Sequence, residues 1–400
     1  MPRDTVGGRL PLVALVAANA VSLLGNVIAA VAIPWFVLVT TGSVARTGVA
    51  AFFTTLPLAL GAFFGGAVAD AVGPRRASVI GDVASAAAIA TIPLLHALGT
   101  LEFWHVVALA FVGALFDAPA QAAREAILPD IARRAGVPLE RATALWTSTE
   151  HAGYVLGAPV AGVLIATLGA PNALWLDAAS FAVAAGLVLA AVPAVRAVHE
   201  RKRYVDDLLE GLRFVGRDVV LRTFLATATV GNFLIAPLAP VLLPVYARDE
   251  LGGATDLGLL VGAYGAGGLA GAIAFGVAGP RVPRRPLFVL VWAAYPPGWA
   301  ALVLLPGLAP AAAILFLVGL VAGTLGPLEQ LVRQERTPPE LRGRVFSTFM
   351  ASLTLVVPPA TLAAGLLVDA AGLRAAVVVL AVANTVLTAW VLAGPARKGL

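Results

Sequence analysis

Apolar windows of about 20 residues, separated by short polar breaks, recur along the whole 400-residue chain. Each is long enough to cross a hydrocarbon core about 30 Å thick. Twelve are drawn: 12–39, 49–69, 77–98, 106–122, 142–168, 173–193, 223–245, 257–277, 287–305, 309–328, 345–368 and 373–392. Helices are the predicted elements, because a bilayer leaves no water to satisfy the backbone and the ten-residue alternation of a membrane barrel is absent. The only long polar stretch lies at 194–222 and divides the spans six and six, into bundles over 1–193 and 223–400. Within it Val205, Leu208, Leu209, Leu212 and Val215 follow helical spacing, which predicts an amphipathic helix on the cytoplasmic membrane surface; a solvated linker is the alternative over its first third.

Composition agrees with this pattern. Hydrophobic residues make up 60% of the chain and charged residues 12%, against roughly 25% charged in an ordinary soluble domain. Arg46, Arg248 and Arg374 fall on one side of the predicted spans and the other 24 of the 27 Lys and Arg on the other, so both termini and the linker are expected in the cytoplasm. The basic balance then faces the anionic leaflet and needs no nucleic-acid partner. Arg3 and Arg9 before an apolar run imitate a cleaved signal peptide, but the run continues to Val39 and is read as an uncleaved first span. There is no cysteine, which excludes disulfides.

Two marks repeat between the halves. Gly65 to Arg76 has a blurred copy at 272–281, followed by Arg284 and Arg285. Pro138-Leu139-Glu140-Arg141 resembles Pro339-Glu340-Leu341-Arg342, 201 residues later. Parallel six-span repeats with a site near the midplane are an architecture of secondary transporters.

Particular residues narrow this further. Gly66-x-x-x-Asp70-x-x-Gly73-x-Arg75-Arg76 resembles the loop signature between spans two and three of the major facilitator superfamily. Gly153-x-x-x-Gly157-Ala158-Pro159-x-x-Gly162 resembles the motif of its drug and proton antiporters. Leu128-Pro129-Asp130, Leu176-Asp177-Ala178-Ala179-Ser180-Phe181 and Glu340-Leu341-Arg342-Gly343-Arg344-Val345 are similar to the branch with macrolide-efflux and siderophore-export proteins, in which Asn26 stands where an acid is frequent. The resemblance implies an all-α membrane protein of twelve transmembrane helices in two pseudo-symmetric six-helix bundles. It implies a monomeric transporter of the bacterial inner membrane that exports amphipathic small molecules against protons by alternating access. Asp70 is then a latch of the inner gate, with a topology and capping role as the alternative.

Acids inside a span are expensive and mark functional candidates. Glu150 and His151 lie about nine residues inside Arg141, roughly 14 Å along a helix, and Asp117 in the fourth span has a similar depth. This group is the candidate for proton coupling; the alternative is that Asp117 or Glu150 pairs with Arg124 or the backbone to fix packing. Arg124, seven residues from Asp117, shares its helical face and is read as an anion selector, as a partner that steadies Asp70 and Asp117, or as a snorkelling side chain. Asp82, about one and a half turns into the third span, is expected at the interface. Asn19, Asn26, Gln121, Asn232 and Gln330, with Trp35, Phe36, Trp146, Phe233 and Tyr264, are cavity candidates forming an amphipathic pocket.

Gly153 to Gly162 in the fifth span, with Pro358-Pro359 and Gly365 in the eleventh, read as rocking seams, and Gly262 to Gly271 crowd the eighth span, which the resemblance sets against the fifth between the halves; ordinary small-residue packing is the alternative. His96, His105, His151 and His199 are scattered, and no His-Glu-x-x-His or phosphate loop occurs, so enzyme function, a metal or a cofactor is not expected. A facilitator or importer of a defined metabolite, and a channel or lipid scramblase without proton coupling, remain the alternative functions.

Overall fold

The computed structural model describes residues 8–194 and 204–394, leaving aside the side chains of 62–71, 150, 151, 154, 204, 205, 207 and 280. Among the described residues every regular element is a helix. The first six are α1 (Leu10–Thr41), α2 (Val44–Val72), α3 (Pro74–Ala97), α4 (Phe103–Arg134), α5 (Leu139–Leu168) and α6 (Ala170–Ala191). The linker forms α7 (Tyr204–Arg217), on the residues whose spacing predicts it. Then follow α8 (Val219–Ile235), α9 (Leu243–Asp249), α10 (Ala254–Ala278), α11 (Arg284–Leu302), α12 (Leu308–Arg336), α13 (Arg342–Leu355), α14 (Val357–Ala371) and α15 (Leu373–Ala393).

Among the described residues ten stretches are long and apolar enough to cross a membrane. α5, apolar over Val155–Leu168, and the 19-residue α11 complete twelve crossings. Two crossings are interrupted, each at proline. In the seventh, Pro237 and Pro240 lie where α8 gives way to a π-helical turn, Leu238–Leu242, that leads into α9. In the eleventh, Pro358 and Pro359 start α14 after a break at Val356. Proline has no N–H and its ring collides with the carbonyl four residues back, so it begins helices readily and interrupts them elsewhere. The α2–α3 turn is set by Gly73, whose φ of 87° is a left-handed conformation that suits glycine, followed by Pro74 at the first position of α3.

The chain divides into two compact units, one of residues up to 41 with 53–201, the other of 42–52 with 202–400. In the first, α1 packs on α4, α5 and α6, and α3 on α4 and α6. Its apolar core includes Leu15, Ile127, Ile131, Trp146 and Val188. In the second, α10 packs on α12, α11 on α12 and α15, and α7 on α13. The opening turns of α2 belong to this unit: an added Cβ on Gly48 would lie 2.8 Å from Gly365 Cα on α14.

Gly267, Gly268 and Gly271 of α10 face α12. A Cβ on Gly267 would meet the Phe316 carbonyl oxygen at 1.9 Å, one on Gly271 the Leu320 oxygen at 2.1 Å, and one on Gly323 the Gly268 oxygen at 1.9 Å. Bare backbones on both helices permit this approach, so the eighth-span seam is a contact inside one unit.

Candidate functional site: buried acids around Arg124

Among the described residues the first unit encloses three carboxylates and one guanidinium. Asp82, Asp117, Arg124 and Asp177 are 0%, 4%, 1% and 1% exposed, which requires compensation within the fold. Asp117 and Arg124 share a face of α4 two turns apart. Arg124 Nη1 donates to both Asp82 oxygens, at 2.6 and 2.7 Å, and its Nη2 donates to Ser22 Oγ at 3.2 Å. Nη2 also lies 3.9 Å from Asp117 Oδ1, while Asn26 Nδ2 donates to Asp117 Oδ2 at 2.9 Å. Small residues allow the helices this close: a Cβ on Gly81 would be 2.6 Å from the Phe116 oxygen, and Ser85 donates to the Gly113 carbonyl at 2.8 Å.

Asp82 is therefore an interior residue, not an interfacial one. Its depth along α3 was a guide only to distance from the helix end; Arg124 arrives from α4, 42 positions away in sequence, and covers it. Arg124 is likewise sealed in the interior and does not snorkel.

The third acid comes from the motif Leu176-Asp177-Ala178-Ala179-Ser180-Phe181, whose Asp177 carries no role in the sequence reading. Neither carboxylate oxygen of Asp177 has a hydrogen-bond partner among the described residues. Ser180 Oγ donates at 2.7 Å to the Asp177 backbone carbonyl. Opposite stands Gly25 of α1, where an added Cβ would be 2.0 Å from Ser180 Oγ and 2.5 Å from Asp177 Oδ1. The available signal was an acid inside the apolar α6, the same cost that singles out Asp117.

The other candidates are dispersed. Asn19 is buried and donates to Thr149 Oγ1 at 3.4 Å, and Gln121 is half-buried on α4. Trp146 is packed in the apolar core of the first unit. Gly157 approaches α1, its added Cβ 3.0 Å from Val27 Cγ1; Gly153 lies more loosely against Leu23, Pro159 is half-buried within α5, and Gly162 is buried. Arg75 donates to the Leu189 carbonyl and Arg76 is exposed. Gly66 lies within α2, and the side chains of Asp70, Glu150 and His151 fall outside the described residues.

In the second unit Asn232 donates at 2.7 Å to the Leu353 carbonyl beside the break at Val356. Phe233 and Gln330 are exposed and Tyr264 half-buried. Sequence reasoning passed over Glu329 on α12, which is buried, with Oε1 unpartnered among the described residues. One turn on, Arg333 stacks over Phe349 at 4.5 Å.

A family model described as Major Facilitator Superfamily matches residues 15–356 and, in an overlapping match, 226–399. The chain belongs to the major facilitator superfamily. As a member it is an integral membrane transporter and not an enzyme. The multidrug efflux pump Tap of Mycolicibacterium fortuitum is 34% identical over 377 residues, covering 92% of this chain and 91% of that protein. Multidrug efflux pump Tap of Mycobacterium tuberculosis is 32% identical over 386 residues, with 93% and 90% covered. Among solved structures the nucleoside transporter NupG superposes with a TM-score of 0.78 at 12% identity, over 96% of this chain and 98% of that one, a likeness of fold.

Proposed function

We propose that this major facilitator protein exports amphipathic, largely apolar small molecules from the cytoplasm in exchange for protons. The observation that carries the reading is the full-length likeness, at 34% identity, to a relative named as a multidrug efflux pump. The buried acids support proton exchange, since a carboxylate can change charge by one proton inside a low-dielectric bundle. Asp117, bonded to Asn26 and near Arg124, is a coupling candidate, with Glu150 and His151 on the neighbouring α5. Asn19, Asn26, Gln121 and Arg124 on α1 and α4, and Asn232, Phe233, Tyr264 and Gln330 in the second half, are proposed to meet cargo. Glu329, a buried acid with Oε1 unpartnered among the described residues, would suit a cationic group of the cargo.

Asp70, with Gly66, Gly73, Arg75 and Arg76, is proposed as the latch of the inner gate. The excess of cations on one side of the spans supports cytoplasmic termini in the inner membrane. The protein is proposed to work as a monomer among membrane lipids, in bundles over 1–193 and 223–400 joined by 194–222. The test is reconstitution into liposomes with an imposed pH gradient and ethidium as a lipophilic cation. Accumulation that follows the gradient is expected, and transport indifferent to it would remove proton exchange.

A further inference from the structure

We propose that Asp177 on α6 is the seat of the exchanged proton, an inference that deepens the proton-exchange reading above and rests on it. The three buried acids differ in what surrounds them. Asp82 takes two bonds from Arg124, and Asp117 takes one from Asn26 with Arg124 Nη2 at 3.9 Å. Asp177 is as deeply buried, yet neither oxygen has a donor among the described residues. An unpaired carboxylate inside an apolar bundle is relieved by taking up a proton. A metal ion would need room for itself and several oxygen ligands. Here Gly25 closes the space, with Ser180 Oγ and Asp177 Oδ1 within 2.5 Å of the position of an added Cβ.

The elements packed against α6 are α1, α3 and α5. α1 brings no titratable group. α3 brings Asp82, held by Arg124, Arg75, which bonds the Leu189 carbonyl, with Arg76 beside it, and the exposed His96 in its last turn, edge-on to Phe36 of α1. α5 brings Glu140, Arg141, Glu150, His151 and Tyr154, and α4, packed on α1 and α3, carries Asp117. α1 connects the acids: Gly25 abuts Asp177 and the next residue, Asn26, bonds Asp117. A shift of α1 that admits water at Gly25 lets the Asp177 O–H bond break, its electron pair staying on the carboxylate and the proton passing to water. The same shift strains the Asn26–Asp117 bond. Reprotonation from the opposite side completes the exchange.

Infrared titration of the full-length protein in nanodiscs, without cargo, reads the proton directly. The carbonyl stretch of protonated carboxylic acids at neutral pH should lose the Asp177 component in Asp177→Asn, keep it in Asp117→Asn and show it shifted in Asp177→Glu; an unchanged band in Asp177→Asn overturns the proposal. In liposomes, Asp177→Asn should lose pH-driven ethidium transport by at least about tenfold while ethidium counterflow stays within about twofold of wild type. Retention of the pH-driven step overturns the assignment, and loss of both activities in a protein with unchanged melting means a structural role and overturns it too. A sodium gradient driving transport in an Asp177-dependent manner would replace the proton by a metal cation. Wild-type transport indifferent to pH would instead remove the proton-exchange reading, and the infrared result alone would then decide whether Asp177 holds a proton.

Discussion

Arg124 on α4 holds Asp82 on α3 through one nitrogen, with Nη1 at 2.6 Å and 2.7 Å from the two carboxylate oxygens and neither residue more than 1% exposed. A pair sealed this way owes little to net Coulomb gain, because both ions leave water. What it fixes is the register of α3 on α4, and removing one partner strands the other. Arg124→Met or Asp82→Leu alone should each destabilise the purified protein by about 3–5 kcal/mol, whereas the double variant should lose much less than their sum. Thermal melts in one detergent measure this cycle, and simple additivity would show that the two charges do not depend on each other.

Asp218 joins the linker to the second unit. Its Oδ1 accepts from the Val220 and Leu221 amides at 2.8 and 3.0 Å, capping α8, and its Oδ2 accepts from Arg336 at 3.1 Å. Desolvation pushes this carboxyl upward, but the two amides and Arg336 together outweigh it and hold it below the usual carboxylate value. A lowered folded value means stabilisation that is present above the unfolded value, about pH 3.9, and lost as pH falls through the folded one. Asp218→Ala should loosen the first turn of α8 by about 1 kcal/mol, and Asp218→Asn, which keeps an acceptor, by less. Hydrogen exchange at Val220 and Leu221 should show the gap between wild type and Asp218→Asn closing in acid; a gap independent of pH would assign the cap no charge contribution.

The membrane spans were legible because length and apolarity are one-dimensional properties. α7 was legible too, since Leu208, Leu209, Leu212 and Val215 carry a period. Depth was only half legible: counting residues places Asp117 and Asp82 along an axis but says nothing of what approaches from the side. Hence Asp82 reads as interfacial until α4 is placed against it. Asp177 and Glu329 break the same rule as Asp117, an acid in an apolar helix, and were missed because one sat inside a recognised motif and the other near a helix end. The Gly25–Asp177 contact joins positions 152 residues apart, a distance no local pattern bridges.

That contact is tight enough to measure. Gly25→Ala places a methyl group 2.0 Å from Ser180 Oγ and 2.9 Å from Ser180 Cβ, so α1 or α6 must move. Overpacking of this kind costs about 1–3 kcal/mol. Ser180→Ala removes the nearer atom and should recover part of the loss when combined with Gly25→Ala. Equal melting of Gly25→Ala and wild type would mean that the α1–α6 contact at Gly25 does not limit stability.

The α10–α12 seam offers the sharper contrast, because the atoms facing its glycines are backbone and cannot rotate away. Gly271→Ala would put Cβ 2.1 Å from the Leu320 carbonyl oxygen and 3.0 Å from the Thr324 nitrogen, forcing the helices apart. Gly276, five residues along α10, has nothing within 4 Å. Alanine is better than glycine in a helix by about 1 kcal/mol, so Gly276→Ala should be neutral or slightly stabilising. Gly271→Ala carries the same helical gain and should still lower the melting temperature, with a net loss of about 1–3 kcal/mol. Since both changes add one methyl group to one helix, their difference isolates interhelical approach from helix propensity. If the two variants melted alike, propensity would govern α10 and the glycine seam would contribute nothing to the fold.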